Sequence, residues 1–206
     1  MPVELKLQIR GLAPDDLPAA VALLAAAMCD NPLHIRVFGA DPTRRQRRLA
    51  GFLEIMVDYI HERGEFLGAF HQDELIGVLG LIGPGLCRPS LRDRVEIGRG
   101  FMFRLPPTTL WPLYRWLTIW ARHDPDAPHW HIGPLAVHAD FRRRGVGRRL
   151  MAAGCRRVDA CHAPAWLETD LPINVAFYQT LGFSKEGSVS VLGMRNWFMY
   201  RPVGQS

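Results

Sequence analysis

The stretch Asp140–Leu150, DFRRRGVGRRL, sets five arginines around two glycines where an apolar strand gives way to a helix. Unpaired N–H groups already make a helix N-terminus positive, so each cation there is unfavourable by about 0.3–1 kcal/mol. Crowding Arg142, Arg143, Arg144, Arg148 and Arg149 at that end therefore calls for an anion. Gly145 and Gly147 would let backbone N–H groups approach an oxygen-rich anion closely, and phosphate is the usual guest. Just upstream, Gly133–Pro134 interrupts the strand HWHIGPLAVH. Proline cannot donate to a ladder, so the strand must bulge or splay there. The backbone of Leu135, Ala136 and Val137 is then left for a ligand with peptide-like amides. An amide-bearing arm ending in a pyrophosphate is the shape of coenzyme A.

A nicotinamide dinucleotide fits less well. Gly145-Val146-Gly147 is half of a dinucleotide fingerprint, with Glu168 at a distance suited to a ribose-binding acid. Leu150 stands where the third glycine belongs, and seven polar-side residues, His138 to Arg144, separate the strand from the glycines.

The rest of the chain supports one α/β domain over residues 1–206. Its 206 residues are 48% hydrophobic, enough for a filled core. The net charge of +5 equals the five arginines of the anion-binding stretch, so basic excess elsewhere is nil. A second cluster, TRRQRR, reads as the polar face of a helix over DPTRRQRRLAGFLEIMVDYIHERG. Asp41 would cap that helix, and Leu49, Phe52, Leu53, Met56 and Ile60 would be its buried stripe. Basic clusters without interleaved aromatics do not suggest nucleic acid. LPAAVALLAAAMC follows two aspartates and is too short to span a bilayer, which points to a buried helix and no membrane. Cys29, Cys87, Cys155 and Cys161 show no zinc-type spacing, so reduced cysteines, no metal and a cytoplasmic location are expected. VELKLQI, EFLGAFHQDELIGVLGLIG, AWLETD, SVSVL and WFMYRPV read as strands. NVAFYQTLGF reads as a short helix with Asn174 as cap and Gly182 as stop. Residues 88–128 read as a helical insertion whose rings, Trp111, Tyr114, Trp116 and Trp120, are too many for one buried face.

RRRGVG, Arg142 to Gly147, matches the R/Q-x-x-G-x-G/A acetyl-CoA signature of the GNAT superfamily of N-acetyltransferases. LAVHADFRRRGVGRRLM and NVAFYQTLGF are similar to that family's two most characteristic segments, in order and spacing. The wording is nearest the branch that includes puromycin N-acetyltransferase, through LAAAMCDNP, PAWLETDLPINVAFYQTLGF and NWFMYRPVG. That branch has tyrosine at the position of Asn31, a departure that bears on the substrate. The resemblance implies a mixed, strongly twisted sheet with splayed middle strands, flanked by helices and holding acetyl-CoA in the splay. It implies that Leu135 and Val137 offer backbone to the pantetheine. Arg142, Arg143, Arg144, Gly145, Val146, Gly147 and Arg148 would then hold the pyrophosphate, with Asn174 on the cofactor arm and Tyr178 near the sulfur. The implied reaction is direct attack of an amine on the thioester, with Tyr178 as general acid to the thiolate. Glu168 ranks first as base, ahead of His131, His138 and water. The acceptor is read as a small-molecule primary amine, with protein lysine or N-terminal acetylation as the second enzyme reading. A non-catalytic acyl-CoA-binding protein is the reading from another class. The aromatic segment would wall the acceptor site or make a homodimer contact.

Overall fold

Strands and helices alternate along the chain because its apolar period switches between two and about 3.6 residues. In the computed structural model, which describes residues 6–204, the strands are β1 (Gln8–Gly11), β2 (Gly64–His71), β3 (Glu74–Ile82), β4 (Trp130–Val137), β5 (Ala165–Thr169), β6 (Ser184–Val191) and β7 (Met194–Arg201). The helices are α1 (Leu17–Met28), α2 (Pro32–Phe38), α3 (Pro42–Arg63), α4 (Leu91–Arg104), α5 (Pro107–His123), α6 (Val146–Ala160) and α7 (Pro172–Gln179). The first strand begins later than the sequence pattern suggests, and Val3–Leu5 of that pattern lie outside the described residues. Among the described residues no single helix is long and apolar enough to cross a membrane.

All seven strands join one sheet in the order β1-β2-β3-β4-β5-β7-β6. Every neighbouring pair is antiparallel except β4 and β5, which are parallel. Helices α1 to α5 pack on one face, around Leu24, Phe38, Leu49, Phe52 and Trp116. Helices α6 and α7 pack on the other, around Leu79, Leu150, Leu167, Tyr178 and Met199. Alternation along β5 therefore turns Ala165 and Leu167 toward α6 and α7, and Trp166 and Glu168 toward the opposite face.

Helix α3 starts as its sequence dictates: Asp41 Oδ1 accepts from Arg44 N at 2.7 Å, with Pro42 first in the helix. Leu49, Phe52, Leu53 and Ile60 are buried as expected, joined by Val57 rather than Met56. One arginine of TRRQRR is not on a polar face at all. Arg45 is 3% exposed, and its guanidinium donates to the carbonyls of Cys29, Gly39 and Ala40 and to Asp30. Its fork of donors satisfies carbonyls left unpaired where α1 and α2 end, and so ties three helices together.

The expected helical segment contains α4 and α5, and the rings of α5 divide as their number requires. Trp116 is buried against His34, Phe38 and Phe52, whereas Trp111 and Tyr114 are 64% and 61% exposed and stack on one another. Asn174 does not cap α7. Leu171 holds that position, because Pro172 is pre-set for the first helical residue and the Thr169 hydroxyl accepts the Leu171 N–H. Asn174 falls in the first turn and donates through Nδ2 to Thr169 Oγ1 at 3.2 Å. Gly182 stops the segment at φ +86°.

Candidate active site

Strand β4 leaves its parallel neighbour almost at once. Trp130 pairs with Ala165 and His131 with Trp166, and from Ile132 onward β4 is bonded only to β3. Opposite Gly133–Pro134 the ladder to β3 slips its register between Leu79 and Leu81. A Cβ on Gly80 would lie 2.5 Å from Gly133 O, so the bulge needs glycine facing it. The His138 N–H bonds to Ile76 O at 2.8 Å, which turns the His138 peptide toward β3. By alternation the N–H groups of Leu135 and Val137 point the other way, into the splay. Ala136 is buried under α1.

The arginine-rich loop follows. Arg143 (φ +60°) and Gly145 (φ +82°) both take left-handed backbone, and α6 starts directly after them. The first intrahelical bond runs from Arg149 N to Gly145 O at 3.0 Å. The N–H groups of Val146, Gly147 and Arg148 thus have no helical partner. A Cβ on Gly147 would meet only Val137 Cγ2, at an ordinary 3.6 Å. The protein itself does not require glycine there, and an oxygen-rich group drawn close to the helix end would. This cradle fits the pyrophosphate of coenzyme A, and the splay fits its amide-bearing arm.

The side chains of the loop divide their duties. Arg142 donates to Val137 O at 3.3 Å and Ala27 O at 2.8 Å, fixing the end of β4 to the end of α1. Arg148 donates to Thr180 Oγ1 at 3.0 Å, beside α7. Arg144 lies over the Phe141 ring at 5.7 Å. Val146 is buried in the core, so only its backbone faces the loop.

Tyr178 and Glu168 stand on opposite faces of the sheet. Tyr178 is buried between Phe177 and Phe183, and burial pushes its phenol well above the usual range. The side chain of Glu168 is buried as well, its Oε1 accepting from Trp166 Nε1 at 2.9 Å and its Oε2 3.2 Å from His131 Nε2. His131 Nδ1 lies 3.8 Å from Asp124 Oδ1, which also meets His129 Nε2 at 3.1 Å. Burial would neutralise His131, but Glu168 and Asp124 on either side outweigh it and hold its pKa well above the ordinary value. Burial pulls against the Asp124 carboxylate too, and hydrogen bonds from the two histidines keep it well below the usual range. His138 stands apart, beside Asp140 and Phe141.

This chain of charges gives a pH prediction. Burial lowers the His129 pKa, but hydrogen bonds to Asp124, Cys87 and the Ala127 carbonyl raise it, to about 10 against an ordinary 6.5. A raised folded-state pKa contributes stability that is full below the unfolded value and lost as pH climbs through the folded one. With chelator present, the urea midpoint should fall between pH 6.5 and 10, and His129→Asn should flatten that fall. An unchanged slope in the variant would detach His129 from the effect.

Sequence reasoning missed Asp124 and His129, which stand in the segment between α5 and β4. The signal available was the pair of histidines, His129 and His131, two residues apart at the entry to β4, both of which reach Asp124 Oδ1.

The acetyltransferase (GNAT) family model matches residues 36–183. Solved structures share the fold. A protein from Corynebacterium glutamicum ATCC 13032, described as histone acetyltransferase HPA2 and related acetyltransferase, is 20% identical with a TM-score of 0.72, over 97% of this chain and 98% of its own. PaiA N-acetyltransferase from Thermoplasma acidophilum, solved with coenzyme A, is 12% identical with a TM-score of 0.58, over 96% and 99%. Ribosomal-protein-S18-alanine N-acetyltransferase from Escherichia coli is 14% identical with a TM-score of 0.57, over 97% and 96%.

Proposed function

The chain belongs to the acetyltransferase (GNAT) family, acetyl-CoA-dependent acyltransferases, and we propose that it acetylates a primary amine of a small molecule. The observation that carries this reading is the separation of β4 from β5 after His131, which ends at the glycine cradle before α6. Acetyl-CoA supplies an activated acetyl group, so holding it and the amine in attack geometry provides much of the rate. The N–H groups of Leu135 and Val137 hold the pantetheine amides, and those of Val146, Gly147 and Arg148 hold the pyrophosphate, with Arg143 and Arg144 adding charge. Asn174 and Tyr178 border the arm. Amine and thiolate are served from different faces: Glu168 takes a proton on the α5 side, directly or through water, and Tyr178 returns one to sulfur on the α7 side.

Two contacts favour a small acceptor. Asp170, just past β5, accepts from Leu33 N of α2 at 2.9 Å, and Trp120 of α5 donates to Asn196 of β7 at 3.1 Å. Helices α2 and α5 thereby cover the end of β5, where a polypeptide substrate would need an open groove. Asn31, at the start of α2, lies on this side, where the puromycin N-acetyltransferase branch carries tyrosine. That branch remains the nearest reading of the sequence, with an acceptor of different shape. Four free cysteines suit a reducing, cytoplasmic setting.

An amine-library screen with thiol-release detection tests the function. Turnover confined to peptides would favour protein acetylation, and coenzyme A binding without turnover would favour a binding protein. Loss of Trp111 and Tyr114 to alanine should leave the melting temperature nearly unchanged while raising the acceptor KM or dissociating a dimer. Trp116→Ala should instead cost about 3–5 kcal/mol of stability. Equal destabilisation by all three would assign the whole ring cluster to the core.

A further inference from the structure

The end of α5, the segment after β3 and the start of β4 meet in a knot of ligand-type side chains. Cys87 Sγ lies 3.6 Å from His129 Nε2, which lies 3.1 Å from Asp124 Oδ1, and Cys87 Sγ is 3.9 Å from Asp124 Oδ2. A tetrahedral zinc ion, with bonds of about 2.3 Å to sulfur and 2.0–2.2 Å to nitrogen and oxygen, has ligand-to-ligand edges of roughly 3.3–3.7 Å. The Cys87–His129 edge falls within that range, while the edges to Asp124 reach different oxygens, 3.1 Å from His129 to Oδ1 and 3.9 Å from Cys87 to Oδ2.

The histidine supplies an independent observation. His129 is 2% exposed, and its Nδ1 lies 2.8 Å from the Ala127 carbonyl oxygen, which can only accept. Nδ1 therefore carries a hydrogen, and Nε2 of the neutral ring is a bare lone pair. That lone pair faces a carboxylate oxygen and a sulfur; Arg88 Nε already meets Asp124 Oδ2 at 3.1 Å, so what sits between Nε2, Oδ1 and the sulfur is either a ring proton or a metal ion that displaces it. A backbone carbonyl on the far nitrogen is the support that orients metal-binding imidazoles. A cleft of about 60 Å³, lined by Cys87, Asp126, Pro128 and His129 among others, adjoins the knot and offers an entry path.

The geometry points to a structural transition-metal site of the zinc class, with Cys87 thiolate, His129 Nε2 and an Asp124 carboxylate oxygen as protein ligands and water as the fourth. Thiolate with imidazole selects zinc or cobalt over magnesium or calcium. Binding releases the Cys87 thiol proton and any proton on His129 Nε2 to solvent. The ion pins the end of α5 and the segment after β3 to β4. The site stands independently of the acetyl-transfer reading. Sequence spacing gave no sign of it, because Cys87 and Asp124 are 37 residues apart.

The test uses the whole protein on a Cys161→Ser background, which removes the exposed thiol, after dialysis against chelator. One equivalent of Co²⁺ should produce a thiolate-to-metal charge-transfer band and the visible bands of a tetrahedral centre. One equivalent of Zn²⁺ should raise the melting temperature and protect Cys87 from alkylation, as mapped by mass spectrometry. Disturbing an outer partner of a metal site typically costs 10–100-fold in affinity, so Cys87→Ser, which removes a ligand, should cost at least about 100-fold. Absence of the charge-transfer band, or full alkylation of Cys87 in saturating Zn²⁺, would overturn the assignment without any change to the proposed ligands. So would a Cys87→Ser protein that binds zinc as tightly as its parent.

Discussion

A Tyr178→Phe protein should bind acetyl-CoA as the wild type does and turn over 10²–10⁴-fold more slowly, a barrier about 3–5 kcal/mol higher. The substitution keeps the ring that packs against Phe177 and Phe183, and removes only the hydroxyl. Burial holds the phenol pKa well above its usual value, so the group keeps its proton until a departing thiolate needs it. Its place on the face opposite Glu168 separates proton delivery to sulfur from proton removal at the amine. Thiol release and acetyl-CoA affinity belong on one preparation, with a melting curve beside them. Lower melting temperature with weaker binding would mark Tyr178 as a packing residue. A kcat within about threefold of wild type, with chemistry limiting, would give leaving-group protonation to water or another side chain.

What could be read from the residues was whatever a local pattern enforces. Gly133–Pro134 cannot sit in an undisturbed central ladder, and β4 does bulge against β3 and part from β5 at that point. Gly145 and Gly147 marked the start of α6 because left-handed backbone and close approach to a helix end are local demands. Misreadings came where a distant group changed a residue's task. Arg45 looked like solvent-facing charge until the carbonyls at the ends of α1 and α2 were brought around it. Asn174 had a capping residue's chemistry, but Pro172 and the Thr169 hydroxyl moved the helix start upstream. The Asp124–His131–Glu168 chain and the Cys87–His129–Asp124 knot are assembled by topology, from the end of a helix and from strands that meet only in the folded sheet. No spacing rule along the chain encodes them.

The second large effect belongs to Gly147. Coenzyme A should raise the wild-type melting temperature by roughly 5–10 °C at a concentration near 100 Kd, and Gly147→Glu should abolish that shift. The variant separates ligand binding from folding unusually well. The new Cβ meets only Val137 Cγ2 at 3.6 Å, an ordinary contact, so the apo protein has room for it. A carboxylate in the first turn of α6 is favourable for the helix, by about 0.3–1 kcal/mol, because it faces the positive end of the dipole. The unliganded variant should therefore melt at or slightly above the wild-type temperature. The same carboxylate stands where a pyrophosphate must approach the N–H groups of Val146, Gly147 and Arg148, blocking it sterically and repelling its charge. Stability of the empty protein and stabilisation by coenzyme A thus move apart, which a general packing defect cannot produce. An undiminished shift in the variant would put the phosphates elsewhere on the molecule and leave the arginine-ringed helix end without its anion.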